Sequence, residues 1–336
     1  MRSAEAADGV PRPSPRVTFT VALPVYNEEA VLERLHAALT EACLKTGETY
    51  EILYVNDGSR DRTSDALQFL AARDPRVSVV ELSRNFGHPA ALAAAVDMAC
   101  GDTLIVMDAD LQDDPAVIPE LLRLQREDAA EVVYVARTRR AEGAGMRVLF
   151  NAFHWLISRV STYEVPRNAG SFGLLGPRAL REMRALTERL RYFPGLRAFV
   201  GFKQVALHAP RQPRYDRISR VGLGGLLRLA AAAFFSQSSA PAALFYLLSL
   251  LSLLSSLGLI VYAVVSKLLG VSVVAWASTV TSVAFFSSVV ILGQAFICEY
   301  LARIYEEVRQ RPTYIVDRMN RGQLLTELGR DAPDRG

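Results

Sequence analysis

Residues 107–115 read MDADLQDDP and set Asp108, Asp110, Gln112, Asp113 and Asp114 within nine positions. Carboxylates this close repel one another unless a cation or backbone N–H groups compensate them. Two chemistries are open. Alternate residues of an extended chain point the same way, so Asp108 and Asp110 could present paired carboxylates, with Gln112 adding a carbonyl oxygen. Oxygen ligands suit a hard divalent cation, and Mg²⁺ typically takes one or two carboxylates plus substrate phosphates. The second chemistry is capping: Asp114 precedes Pro115, and Asp followed by Pro at the first helical position starts a helix. A lone Asp-x-Asp triplet occurs by chance, so its place in the chain must decide.

Three further polar clusters carry the same ambiguity. PVYNEE (24–29) holds Pro24, Tyr26 and Glu28, and reads either as a strand-end turn with acids in a first helical turn or as part of a site. In NDGSRD (56–61), Asp57-Gly58 is a turn signal and Asp61 or Thr63 could cap a helix, yet Asp57 could also accept hydrogen bonds from a base edge. SRNFGH (83–88) opens a helix, whose N-terminus is a natural anion site. Arg84 there, and Arg137 later, could neutralise phosphates or simply be solvated. His88 and His154 lack partners at metal-ligand spacing.

The elements around these clusters give them a common place. Apolar, β-branched runs at 17–24, 50–56, 77–82, 102–108 and 131–137 alternate with helical patterns at 28–43, 62–73, 89–99 and 115–127. Such alternation predicts an α/β fold, a mostly parallel sheet with helices on both faces. Ligands bind such sheets beyond the carboxyl ends of the strands, and all four clusters fall there. After residue 140 the pattern weakens; residues 145–161 read as an amphipathic helix.

Composition bounds the remainder. Net charge is +3 over 336 residues, which does not point to nucleic acid, and three scattered cysteines argue against a zinc site or a disulfide scaffold. Residues 1–16 read as a disordered leader rather than a signal peptide. No charged residue occurs from Leu229 to Ser266 or from Leu268 to Cys298. A membrane span needs about 20 apolar residues, so two spans are expected, near 241–265 and 273–297, within a hairpin of residues 240–298. Arg214, Arg217, Arg220 and Arg228 precede them, and Arg303, Arg309 and Arg311 follow. The positive-inside rule then puts both termini and both long segments on the cytoplasmic side. Residues 213–239 are expected along the membrane surface and 299–336 as a cytoplasmic tail. The alternative is a pair of buried helices in a soluble core.

PVYNEE, VNDGSRDRT, LSRNFGHPAAL and MDADLQDDP, in that order and followed by two apolar segments, resemble the membrane-anchored polyprenyl-phosphate glycosyltransferases. These include bactoprenol glucosyltransferases and dolichyl-phosphate mannosyltransferases, and the resemblance runs from about residue 17 to 316. It implies a GT-A-type, Rossmann-like catalytic domain over 17–212. The implied reaction is inverting transfer of one sugar from a nucleotide diphosphate donor, a UDP-hexose such as UDP-glucose, to polyprenyl (undecaprenyl) phosphate at the cytoplasmic membrane. Pro24, Tyr26, Glu28 and Asp57 would cradle base and ribose, with Arg84 among the donor-binding residues. Asp108, Asp110 and Gln112 would hold Mg²⁺ or Mn²⁺ against the diphosphate. Arg137 and Arg140 would reach phosphate, Arg214 and Arg220 would grip the lipid phosphate, and residues 188–195 would close over the site. The resemblance also implies a homotetramer and a flippase acting on the product.

The chain departs from that pattern at several positions: Arg217 and Val221 stand where a Gly and a Tyr are usual near the lipid-phosphate site, and Pro194 where an Arg is usual. Where many members read close to Asp-Ala-Gly-Asp-Phe-Arg, it has Asn168-Ala169-Gly170-Ser171-Phe172-Gly173. A phosphate monoester has a second pKa near 6, so the expected nucleophile is already largely dianionic at neutral pH and needs no base. Asn168 is then expected to orient the acceptor. Two rival readings remain. A catalytically silent sugar-nucleotide scaffold would account for the missing acids but gives DADLQ no use. A processive polysaccharide synthase would call for a Gln-x-x-Arg-Trp motif, and neither Trp155 nor Trp276 lies in one.

Overall fold

A computed structural model describes residues 17–137, 169–186, 193–209 and most of 250–323. The chain forms two compact units. One comprises residues 1–147, 163–220 and 312–336, and the other 148–162 and 221–311.

The first unit holds an eight-stranded sheet. Its elements are β1 (Phe19–Val25), α1 (Leu32–Leu44), β2 (Tyr50–Asn56), α2 (Thr63–Arg73), β3 (Val77–Leu82), α3 (His88–Met98), β4 (Thr103–Val106), α4 (Ile118–Glu127), β5 (Val132–Arg137), β6 (Ala169–Leu175), α5 (Pro177–Ala185), α6 (Phe193–Phe199) and β7 (Gln204–Ala209). The strand order is β7-β5-β6-β4-β1-β2-β3-β8, where β8 is Val316–Asn320. β4, β1, β2 and β3 run parallel, as do β5 and β7, while β6 and β8 are antiparallel to their neighbours. The mostly parallel sheet expected from the alternation is therefore present.

Both faces are covered, which explains the unbroken apolar strands. Phe19, Val21, Leu23, Ile52, Tyr54 and Val79 face a core with Leu32, Leu35 and Leu39 of α1, Leu67 of α2 and Leu121 of α4. The alternate residues Ala22, Leu53, Val55, Val80, Leu104 and Val106 pack against α3, α5 and α6. α3 is alanine-rich, with Ala90, Ala91, Ala93, Ala94 and Ala95 buried. Small side chains let that helix lie close to the sheet.

Three strands were not assigned from sequence. β6 and β7 lie beyond the point where local alternation fades, and β6 enters antiparallel between β4 and β5. β8 falls within the segment expected as a tail over 299–336, where residues 316–320 extend the sheet. β8 pairs with β3 and covers an edge that would otherwise expose unpaired backbone groups.

In the second unit, residues described between 250 and 268 are helical, and α7 runs Ala275–Val308. At 1.5 Å per residue, its 34 residues span about 51 Å. Phe285–Ala302 is long and apolar enough to cross a membrane, with mean hydropathy 1.6 and none of that window buried. The helix extends past the end at 297 expected for the second span. The first expected span is only partly described, and the amphipathic helix expected at 145–161 and the surface segment expected at 213–239 lie outside the described residues.

Candidate active site

The sheet reverses its strand order at β1, with β2 and β3 on one side and β4 on the other. A crevice forms where strand order reverses in such sheets. Pro24 marks its opening. Ala22 O accepts from Met107 N (3.1 Å) on the β4 side, whereas Val25 O accepts from Asp57 N (2.9 Å) on the β2 side. Pro24 is in the alternate set that faces β4, and the β1–β4 ladder has already stopped at Ala22–Val106. A residue with no N–H is tolerated where no ladder partner is present.

DADLQ follows β4 on one side of this crevice. The strand ends at Val106, and Leu111 has φ of +58°, in the left-handed region. Asp110 Oδ1 accepts from Gln112 N at 3.1 Å, closing an Asx turn. This corrects the extended geometry expected from the alternate spacing: the motif is a turn, and DADLQ presents its oxygens from a bend. Asp108, Asp110 and Gln112 are half-buried. Asp108 Oδ1 accepts from Ser171 Oγ of β6 at 3.0 Å and lies 3.6 Å from His88 Nε2 at the start of α3. Sequence reasoning gave His88 no partner. The signal was its place one helix start beyond β3, at the same edge as Asp108.

Asp114 caps the next helix as expected: its Oδ1 accepts from Ala116 N at 2.9 Å, opening a 3₁₀ turn (Pro115–Val117) that leads into α4. Asp113 is buried. Among the described residues no three His, Cys, Asp or Glu side chains cluster as an ion site. The donor set at DADLQ, two half-buried carboxylates and an amide on one turn, nonetheless fits a hard cation that draws its other ligands from phosphate and water.

Across the crevice, the loops after β1, β2 and β3 lock together. Asp57 is 3% exposed, and its Oδ1 and Oδ2 accept from Phe86 N (2.7 Å) and Gly87 N (2.9 Å) at the entry to α3. Burial pushes the Asp57 carboxyl up, against these donors and the charges of His88 and Arg84. Gly58 has φ of +62°, and a Cβ there would come within 2.4 Å of the Arg84 carbonyl carbon. Only glycine allows the two loops to approach so closely.

Glu28 and Glu29 precede α1 rather than lying in its first turn, which corrects the expected placement. Glu28 N donates to Thr63 Oγ1 (3.0 Å), and Glu29 Oε2 accepts from Arg62 N (2.7 Å). Asp61 Oδ1 accepts from Thr63 N (3.1 Å) just before α2. Tyr26 is half-buried at the end of β1. Arg84 is exposed, with its guanidinium 4.0 Å from the Phe86 ring centroid. Arg137 is the last residue of β5. Arg140, Asn168, Arg214 and Arg220 lie outside the described residues.

Residues 20–188 match the family described as Glycosyl transferase family 2. The chain is 34% identical over 307 residues to the uncharacterized glycosyltransferase YkcC of Bacillus subtilis (strain 168), covering 91% of this chain and 95% of that one. It is 36% identical over 301 residues to the uncharacterized glycosyltransferase sll0501 of Synechocystis, covering 89% and 95%. It is 30% identical over 305 residues to the bactoprenol glucosyl transferase of Shigella phage SfII, covering 90% and 99%. A solved mannosyltransferase from Pyrobaculum calidifontis, in complex with GDP-Man and Mn²⁺, is a distant likeness: 20% identity, TM-score 0.43, covering 71% and 68%. By its matched family and its near-full-length relatives, the chain belongs to glycosyl transferase family 2.

Proposed function

We propose that the protein transfers one sugar, with inversion, from a nucleotide diphosphate sugar to a polyprenyl phosphate at the cytoplasmic face of a membrane. The observation that carries this reading is the DADLQ turn, set at the switch point of a family 2 sheet and backed by Ser171 and His88. Its likeness to a bactoprenol glucosyl transferase over 90% of the chain favours the lipid acceptor. The exposed apolar side chains of α7, among them Phe285, Val290 and Ile291, suit a lipid environment.

In this reading Asp108, Asp110 and Gln112 hold Mg²⁺ or Mn²⁺, which would supply charge neutralisation of the leaving diphosphate. Ser171 donates to Asp108 and fixes that carboxylate. Pro24, Tyr26, Glu28 and Asp57 line the base and ribose side, with Arg84 nearby. Arg137, Arg140, Arg214 and Arg220 hold donor and acceptor phosphates, and Asn168 orients the acceptor. The acceptor oxygen is already anionic near neutral pH. The chain's task is therefore in-line positioning rather than proton abstraction. Residues 17–212 with β8 form the catalytic domain, and a two-span hairpin anchors the chain in the membrane. UDP-hexose is the donor we favour.

The test uses full-length protein with Mg²⁺, labelled UDP- and GDP-sugars and a short polyprenyl phosphate. Metal-dependent label in the lipid is the expected result. Nucleotide binding without turnover across the whole donor panel would overturn the reading.

A further inference from the structure

The last residue of β2, the penultimate residue of β3 and the middle of β8 form a polar row across three strands: Asn56 pairs with Glu81, and Glu81 with Arg318. Glu81 is 7% exposed. Its Oε2 accepts from Asn56 Nδ2 at 2.9 Å, and its Oε1 from Ser64 Oγ at 2.6 Å and Gln68 Nε2 at 3.3 Å. Arg318 Nη2 lies 4.0 Å from the same oxygen. A buried carboxylate needs such partners. What it fixes in return is the direction of the Asn56 amide.

Asn56 has one acceptor end and one donor end. With Nδ2 committed to Glu81, Oδ1 faces the loop after β2, where it accepts from Ser59 N (3.1 Å) and Ser59 Oγ (2.6 Å). Ser59 Oγ in turn lies 3.0 Å from Asn27 N, which donates to it, and Asn27 Oδ1 accepts from Arg60 N at 2.8 Å. Asn27 has φ of +54°, a conformation few residues other than glycine and asparagine adopt readily. The path runs from Glu81 through Asn56 and Ser59 to Asn27, and it fixes the backbone between Tyr26 and Glu28 against the backbone beside Asp57.

We infer that Glu81 is a positioning residue for the donor nucleotide: it orients Asn56 and so holds the two loops on which base and ribose would bind. Arg318 adds that β8, in the segment after α7, supplies part of the support. The inference rests on the donor site proposed above and adds to it a residue outside every motif of that site. Glu81→Met removes both acceptor oxygens, so Asn56 Nδ2 loses its partner and nothing holds the amide with Oδ1 toward Ser59.

The experiment measures binding of UDP-glucose and GDP-mannose, together with donor KM, kcat and melting temperature, on full-length protein. Glu81→Met should raise the donor KM about tenfold and leave kcat at saturating donor within about twofold, as expected when uniform binding is lost. Glu81→Gln, whose remaining carbonyl oxygen can still accept from Asn56 Nδ2, should keep most of the affinity. Should Glu81→Met fail to fold, Ser64→Ala with Arg318→Ala decides, with an expected rise in KM of about threefold. Unchanged donor affinity in whichever of these two folds overturns the inference, as does a loss in kcat that Glu81→Gln shares. Wild-type protein that binds neither nucleotide overturns the donor reading itself.

Discussion

At the carboxyl edge of the sheet, Asp57 follows β2 and Asp108 follows β4, on opposite sides of β1. Asp57 is 3% exposed and gives both oxygens to backbone N–H groups of the next loop. Asp108 is half-buried and is approached by side chains, Ser171 and His88, both at Oδ1. The first acid is built into the framework, since removing it would orphan two amide donors. The second is steered by groups that can be exchanged without disturbing the backbone. Acids of the same type at one edge can therefore be held differently: Asp57 by the backbone of the neighbouring loop, Asp108 by side chains from β6 and α3.

Chelation should expose the contrast most strongly. Removing divalent metal from the full-length enzyme should lower label transfer to lipid on the order of 100-fold or more, with the melting curve nearly unchanged in the absence of nucleotide. Equal transfer with and without chelator would break the distinction. Asp57→Ala should act on stability first, costing about 3 kcal/mol in denaturant unfolding because two amide donors lose charged acceptors. A loss under about 0.5 kcal/mol would show that Asp57 is not framework. Ser171→Ala should weaken metal binding roughly tenfold, read directly by Mn²⁺ titration, while barely moving stability, as expected when a group orienting a ligand is lost. The smallest effect belongs to Asp114, a neighbour in sequence with a different task. Asp114→Ala should cost about 1 kcal/mol of stability through loss of a cap and leave transfer largely intact.

These differences were only partly legible in the sequence. The residues expected for β2 and β3, 50–56 and 77–82, are those the structure has, because parallel strands buried on both faces leave continuous apolar runs. The Asp114 cap was legible too, since capping is local. β8, whose sequence is VDRMN, carries two charges and little apolar signal. It is a strand only because β3, more than 230 residues earlier, offers an edge. Ser171 stood out as a departure from the related pattern, but its contact with Asp108 depends on β6 lying antiparallel beside β4. DADLQ was read as extended from its spacing. Leu111 in the left-handed region makes it a turn, and nothing in the residue type of leucine signals that conformation.

The most direct test of the central claim, that the DADLQ turn does metal-dependent chemistry rather than hold the fold, is Asp110→Asn. Asp110 Oδ1 closes the turn by accepting from Gln112 N, and asparagine keeps an oxygen for that bond while removing the charge. Transfer of label from nucleotide sugar to polyprenyl phosphate should fall to background at every Mg²⁺ concentration, with melting temperature and nucleotide-free fold unchanged. Transfer at wild-type rate by Asp110→Asn, or loss of transfer only in step with loss of folding, would contradict it.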